Sequence, residues 1–121
     1  INQIGGYMVQ GRDEKQAETM FQDALALQEA GASMVLLECV PTSLAKRITE
    51  ALNIPVIGIG AGPHTTGQVL VLHDILGVSP ISPKFVKNFL KDADGDIASA
   101  IQSYADDVRE GRFPGPEHSF N

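Results

Sequence analysis

Three short apolar runs, separated by stretches with helical periodicity, predict an α/β fold with parallel strands. The runs are Met34-Val35-Leu36-Leu37, Pro55-Val56-Ile57-Gly58-Ile59-Gly60 and Val69-Leu70-Val71-Leu72. They are continuous rather than alternating, as expected of strands covered on both faces. Strands joined through helices imply parallel pairing and right-handed crossovers. Three strands neither close a barrel nor cover both faces of a wide sheet, and a (β/α)₈ barrel takes about 250 residues. At 121 residues the chain is expected to be part of such a barrel, or a piece that pairs with a further segment, with no internal domain boundary.

Each element has its own signals. Residues 1–12 read as a Gly-rich loop, with turn chemistry at Gly5-Gly6 and Gly11. A helix is predicted over 13–30. Asp13 and Glu14 suit its positive end, Ala17, Met20, Phe21, Ala24 and Leu27 trace its inner face, and Gly31 fits its C-terminal cap. After the first strand, Pro41 begins a turn. Thr42 or Ser43 can then cap a helix reaching about residue 52, with Leu44, Ala45, Ile48 and Leu52 facing inward. The second strand closes at Ala61-Gly62-Pro63, and the third ends in His73-Asp74. Pro80 and Pro83 precede an amphipathic stretch around Phe85, Val86, Phe89 and Leu90. A last helix over 96–110 carries Ile97, Ile101, Tyr104 and Val108 on one side and ends at Gly111. The tail Phe113-Pro114-Gly115-Pro116-Glu117 reads as extended and irregular.

The composition narrows the function classes. The formal charge is −6, and no basic cluster offsets it, so nucleic acid is not an expected partner. No run approaches the ~18 apolar residues of a membrane span, so no membrane role is expected. The opening residues, from Ile1, have no signal-peptide pattern and read as the interior of a longer chain. The single cysteine, Cys39, excludes an intrachain disulfide and a multi-cysteine zinc site, and fits a reducing cytosol.

Glu38 is the residue with most to say about chemistry. It closes an apolar run at the C-terminal end of a predicted parallel strand, where the active sites of barrels and open α/β sheets lie. Leu37, Cys39 and Val40 are expected to desolvate it in part, which makes a carboxylate a better proton acceptor near neutral pH. The alternative is a strand-end glutamate that is solvated or salt-bridged. Gly58-Ile59-Gly60-Ala61-Gly62 is open to two readings: backbone approach to an anion, or a tight turn at a crowded rim. Pro63 stands where a dinucleotide fingerprint would place its third glycine. His73 and Asp74, as neighbours on a strand, would point to opposite sides, so His73 reads as a structural histidine. His64 and His118 read as surface residues, Cys39 as packed, and Arg12, Lys46 and Arg47 as solvated charges.

These segments together resemble ketopantoate hydroxymethyltransferases. The resemblance is carried in order by Gly5-Gly6-Tyr7-Met8-Val9-Gln10-Gly11-Arg12, Leu36-Leu37-Glu38-Cys39-Val40-Pro41, Ala45-Lys46-Arg47-Ile48-Thr49 and Ile54-Pro55-Val56-Ile57-Gly58-Ile59-Gly60-Ala61-Gly62. It continues through Gly67-Gln68-Val69-Leu70-Val71-Leu72-His73-Asp74 and Pro83-Lys84-Phe85-Val86-Lys87-Asn88-Phe89 to Phe113-Pro114-Gly115-Pro116-Glu117-His118-Ser119-Phe120. It spans essentially the whole chain. It implies the C-terminal half of a (β/α)₈ TIM barrel, containing about three of its strands. It also implies transfer of a hydroxymethyl group from 5,10-methylenetetrahydrofolate to 3-methyl-2-oxobutanoate, giving 2-dehydropantoate for pantothenate synthesis. Glu38 matches the family's proton acceptor. Mg²⁺ is implied as cofactor, with its ligands and most keto-acid contacts in the N-terminal half, so no metal ligand is expected in this chain. A cytoplasmic homo-oligomer, a decamer in the family, is implied as well. Two other readings of the residues stay open: a non-catalytic anion-binding or assembly module, and another enolate-forming barrel enzyme.

Overall fold

The computed structural model describes residues 8–121. The expected turn at Gly5-Gly6 lies outside the described residues. In chain order the elements are α1 (Glu14–Glu29), β1 (Val35–Glu38), α2 (Thr42–Ala51), β2 (Val56–Ile59), β3 (Gly67–Gln68), α3 (Leu72–Ile75), α4 (Ile97–Arg109) and a 3-10 turn (Pro116–His118). The strands form one parallel sheet in the order β1-β2-β3. An α/β unit of three parallel strands with helices is the arrangement of part of a (β/α)₈ barrel.

Local chemistry accounts for most of the boundaries. Asp13 caps α1, its carboxylate accepting from the Gln16 N–H at 2.7 Å. Gly31 follows the helix in the left-handed region expected of a C-terminal cap. At α2 the expectation of a Thr42 or Ser43 side-chain cap is not met. Pro41 holds the cap position with no side-chain hydrogen bond. The Phe120 carbonyl does the work instead, accepting from Thr42 N at 2.9 Å and Thr42 Oγ1 at 3.0 Å. Arg47, read as a solvated charge, reaches Glu18 at 3.0 Å and lies over the Phe21 ring at 3.8 Å, joining α2 to α1.

The third strand differs from the sequence reading. Residues 69–72 were expected to form it, but the ladder lies two residues earlier. Gly67 and Gln68 pair with Ile57 and Gly58, and Thr66 N and Val69 N donate to the Val56 and Gly58 carbonyls. The connection from β2 is the short loop 60–66, which sets the polar Gly67-Gln68 pair beside β2 and lets the apolar run overshoot the sheet. Val71 then accepts from Asp74 N and Ile75 N and starts α3.

Two apolar clusters form the core. One lies between the sheet and α1 and α2 and includes Ala24, Val35, Leu37, Leu44, Ile48 and Val56. Ile48, Val40 and Val56 are wholly enclosed, and each such side chain contributes on the order of 1.5–3 kcal/mol by leaving water. The other cluster joins Cys39, Leu70, Ile75, Phe85 and Phe89 to Ala100 of α4 and to Phe113. The opposite face of the sheet is open. Along β1 burial alternates, with Val35 and Leu37 buried and Leu36 and Glu38 exposed. Met34, Leu36, Val69 and Val71 are 44 to 58% exposed. No helix among the described residues is long and apolar enough to cross a membrane.

Candidate active site

Glu38 is the last residue of β1 and pairs in register with Ile59, the last residue of β2. It shares the open face with Leu36, since side chains two apart on a strand point the same way. No side chain among the described residues hydrogen-bonds to Glu38 or forms an ion pair with it. Of the solvated and salt-bridged alternatives, the salt bridge is therefore not found among the described residues. The expected desolvation by neighbours in sequence is not found either. Leu37 and Val40 pack into the cluster under α1 and α2, Cys39 packs with Phe85, and Glu38 stays exposed on the other side.

The turn after Glu38 is unusual. Cys39 has φ 53°, a left-handed conformation that side-chain-bearing residues seldom adopt. It is 4% exposed, as expected of a packed cysteine. Burial, and secondarily the charge of Glu38, push its thiol pKa up, so it is held as an unreactive thiol. Its N–H donates to the Ile59 carbonyl at 3.0 Å and its carbonyl accepts from Gln10 N at 2.8 Å.

The glycine-rich loop after β2 takes the crowded-rim reading. A Cβ at Gly58 would meet Thr65, one at Gly60 would meet the Phe85 ring, and one at Gly62 would meet Thr42. Gln68 clamps the loop, its Nε2 donating to the Gly62 carbonyl and Thr65 Oγ1. Close packing accounts for these glycines without an anion.

None of the remaining candidates hydrogen-bonds to Glu38 or pairs with it among the described residues. His73 and Asp74 sit in α3, not at a strand end, because the ladder ended earlier. His73 is exposed and Asp74 buried, and no hydrogen bond joins their side chains. His64 is exposed, as expected. His118 is not a surface residue: its Nδ1 accepts from Gly115 N at 3.1 Å and its ring lies 5.0 Å from that of Phe113. Burial pushes its pKa down. Arg12 donates to the Asn121 carbonyl, and Lys46 faces Glu50 at 3.9 Å on the surface. Among the described residues no three His, Cys, Asp or Glu side chains come together to hold a metal. The donor set present does not fit Mg²⁺, and no step is derived through it.

The sequence reading missed Phe85, Gln68 and the Phe120 carbonyl as parts of the framework around this strand end. A buried aromatic spaced four residues from Phe89 was a visible signal for Phe85. A backbone carbonyl acting as a cap from 78 residues away has no local signature.

Comparison with known proteins places this arrangement in a family. The family model described as ketopantoate hydroxymethyltransferase matches residues 1–116. A protein of Aeromonas salmonicida (strain A449) named 3-methyl-2-oxobutanoate hydroxymethyltransferase is 59% identical over 122 residues, covering 100% of this chain and 46% of the relative. Proteins of the same name from Edwardsiella ictaluri (strain 93-146) and Proteus mirabilis (strain HI4320) are 58% and 56% identical, with the same coverage. The chain thus spans about half the length of the curated relatives it matches. With a family match over nearly its whole length, and with Glu38 ending a strand of a parallel sheet, the chain belongs to the ketopantoate hydroxymethyltransferase family.

Proposed function

We propose that this chain is the C-terminal half of a (β/α)₈ barrel whose complete protein transfers a hydroxymethyl group from 5,10-methylenetetrahydrofolate to 3-methyl-2-oxobutanoate, giving 2-dehydropantoate for pantothenate synthesis. Glu38 is the residue of this chain that takes part in the chemistry. The observation that carries this reading is its position: an exposed carboxylate without a side-chain partner, at the C-terminal end of β1, on the face where Leu36 is also open. That end of a parallel sheet is where barrel enzymes do their chemistry.

The reaction needs a proton removed from the carbon next to the ketone of the keto acid. Glu38 accepts that proton, and the carbanion equivalent forms a C–C bond to the one-carbon unit carried by the folate; overall, water supplies the hydroxyl, the bond from that carbon to the folate nitrogen breaks, and tetrahydrofolate leaves. A carboxylate that no cationic side chain among the described residues engages can act as such an acceptor. The proposal includes Mg²⁺, held by residues outside this chain, and a cytoplasmic homo-oligomer, a decamer as in the family the chain resembles. The half-exposed apolar face formed by Met34, Leu36, Val69 and Val71 supports a barrel completed by further strands.

The test is proton exchange at C3 of 3-methyl-2-oxobutanoate in D₂O, on the full-length protein with Mg²⁺, followed by NMR with and without the folate. The proposal expects exchange without the donor and 2-dehydropantoate only with it. Exchange with no product when the donor is added would point to another enolate-forming enzyme. Neither exchange nor product in the folded protein would favour a non-catalytic binding module.

A further inference from the structure

We infer that Phe85 is a positioning residue for Glu38, acting through Gly60 and the left-handed turn at Cys39. The inference rests on the reading of Glu38 as proton acceptor and goes on to what aims it.

Glu38 has no side-chain partner among the described residues, so what this chain contributes to its aim is the position of its backbone at the strand end. That backbone leaves the sheet through Cys39 at φ 53°. A residue with a Cβ stays in this region only where its surroundings over-determine it. The surroundings here are specific. The register that pairs Glu38 with Ile59 brings Cys39 level with Gly60, which is also left-handed at φ 65°. The two neighbouring strands therefore leave the sheet by the same step. They stay joined through it, because Cys39 N donates to the Ile59 carbonyl at 3.0 Å and Val40 N to the Gly60 carbonyl at 3.1 Å.

Phe85 lies directly against this paired turn. It is 3% exposed and shares a cluster with Cys39. A Cβ added to Gly60 would sit 2.9 Å from its Cδ1 and 3.0 Å from its Cγ, closer than such atoms approach. Phe85 is enclosed in the same cluster as Phe89. Four residues on, Phe89 donates its N–H to the Ile75 carbonyl at 2.9 Å. Its ring meets those of Tyr104 and Phe113 edge-on, at 5.5 and 5.4 Å. The Gly60 and Cys39 turns, from which Glu38 is presented, thus pack against Phe85 in the cluster that α4 and the tail complete.

The test uses the full-length protein as Gly60→Ala and Phe85→Leu, with Ile75→Val as a control from the same cluster. Displacing a reacting group by a fraction of an ångström to 1 Å costs up to roughly 100-fold in rate. Gly60→Ala is expected to lower kcat by roughly 10- to 100-fold at temperatures where the protein is fully folded, with KM unchanged. Phe85→Leu keeps Cβ, Cγ and Cδ1, the atoms nearest Gly60, and loses only the outer ring that packs into the cluster, so it lowers kcat less. Ile75→Val lowers Tm and leaves kcat alone. The inference is overturned if Gly60→Ala and Phe85→Leu lower Tm with kcat intact. If Gly60→Ala fails to fold, kcat of Phe85→Leu measured against Ile75→Val decides. Little loss in Glu38→Gln would remove the underlying reading and the inference with it. A large loss there, with none in the Gly60 and Phe85 variants, would overturn the inference alone.

Discussion

Leu36 and Leu37 are consecutive residues of β1 on opposite faces of the sheet, and truncating each to alanine separates what this chain buries from what a complete barrel buries. Leu37 is 7% exposed and packs under α1 and α2. Leu36 is 58% exposed on the open face. Burying a leucine fully is worth about 1.5–3 kcal/mol, and truncation in a core adds a cavity term that brings Leu→Ala to about 2–5 kcal/mol. Leu37→Ala should cost about 3 kcal/mol by this measure. If the contacts within these 121 residues were all Leu36 had, a little under half of the transfer term and no closed cavity would be at stake, roughly 1 kcal/mol. In a closed barrel Leu36 points into the packed interior, and its truncation should cost as much as that of Leu37, about 2–4 kcal/mol. The assay is urea unfolding of the full-length protein and both variants, followed by circular dichroism. Near-equal losses are expected. A Leu36→Ala cost of about 1 kcal/mol or less beside a full cost for Leu37→Ala would refute the barrel closure proposed above.

Three further outcomes follow from the described contacts. Cys39, buried and with its thiol pKa pushed up, should resist alkylation by iodoacetamide at pH 7.5 in the folded protein and react promptly in denaturant, as peptide mass mapping would read; rapid native labelling would contradict its packing. Tyr104 has a buried hydroxyl without a hydrogen-bond partner among the described residues. Tyr104→Phe should therefore leave stability unchanged or raise it by up to ~1 kcal/mol, and a loss above that in urea unfolding would show that the hydroxyl is satisfied elsewhere in the whole protein. Burial lowers the folded pKa of His118, so the unfolded chain binds a proton first as pH falls. Its contribution is present above the ordinary histidine value of about 6.5 and is lost as pH drops through the folded value. His118→Gln should flatten the decline in Tm below about pH 6.5, measured by calorimetry, and an unchanged slope would contradict this.

The parts of the fold that could be read from sequence are those whose causes are local. The apolar runs at 34–37 and 55–60 and the Asp13 and Gly31 signals each sit within a few residues of the structure they produce, and α1, β1 and β2 lie where those signals put them. Glu38 could be placed at a strand end for the same reason. The parts that could not be read depend on distant segments. The third strand was displaced because register is set by where the 60–66 loop lands on β2, and the apolar run at 69–72 does not encode that. His118 looked like a loop histidine, but the turn at Pro116 folds it onto the Phe113 ring. The α2 cap comes from Phe120, at the far end of the chain. The desolvation expected of Glu38 failed for a reason of geometry, since its sequence neighbours turn to the opposite side of the strand.

The most direct measurement of the central claim is the steady-state rate of 2-dehydropantoate formation by the full-length protein, as wild type and as Glu38→Gln, with 3-methyl-2-oxobutanoate, 5,10-methylenetetrahydrofolate and Mg²⁺. Glutamine keeps the shape of the side chain and cannot accept the proton. A loss of order 100-fold or more in kcat, with Tm preserved, is predicted for a general base. An active wild type and a Glu38→Gln variant within a few-fold of it would contradict the role assigned to Glu38 and leave the family membership standing without it.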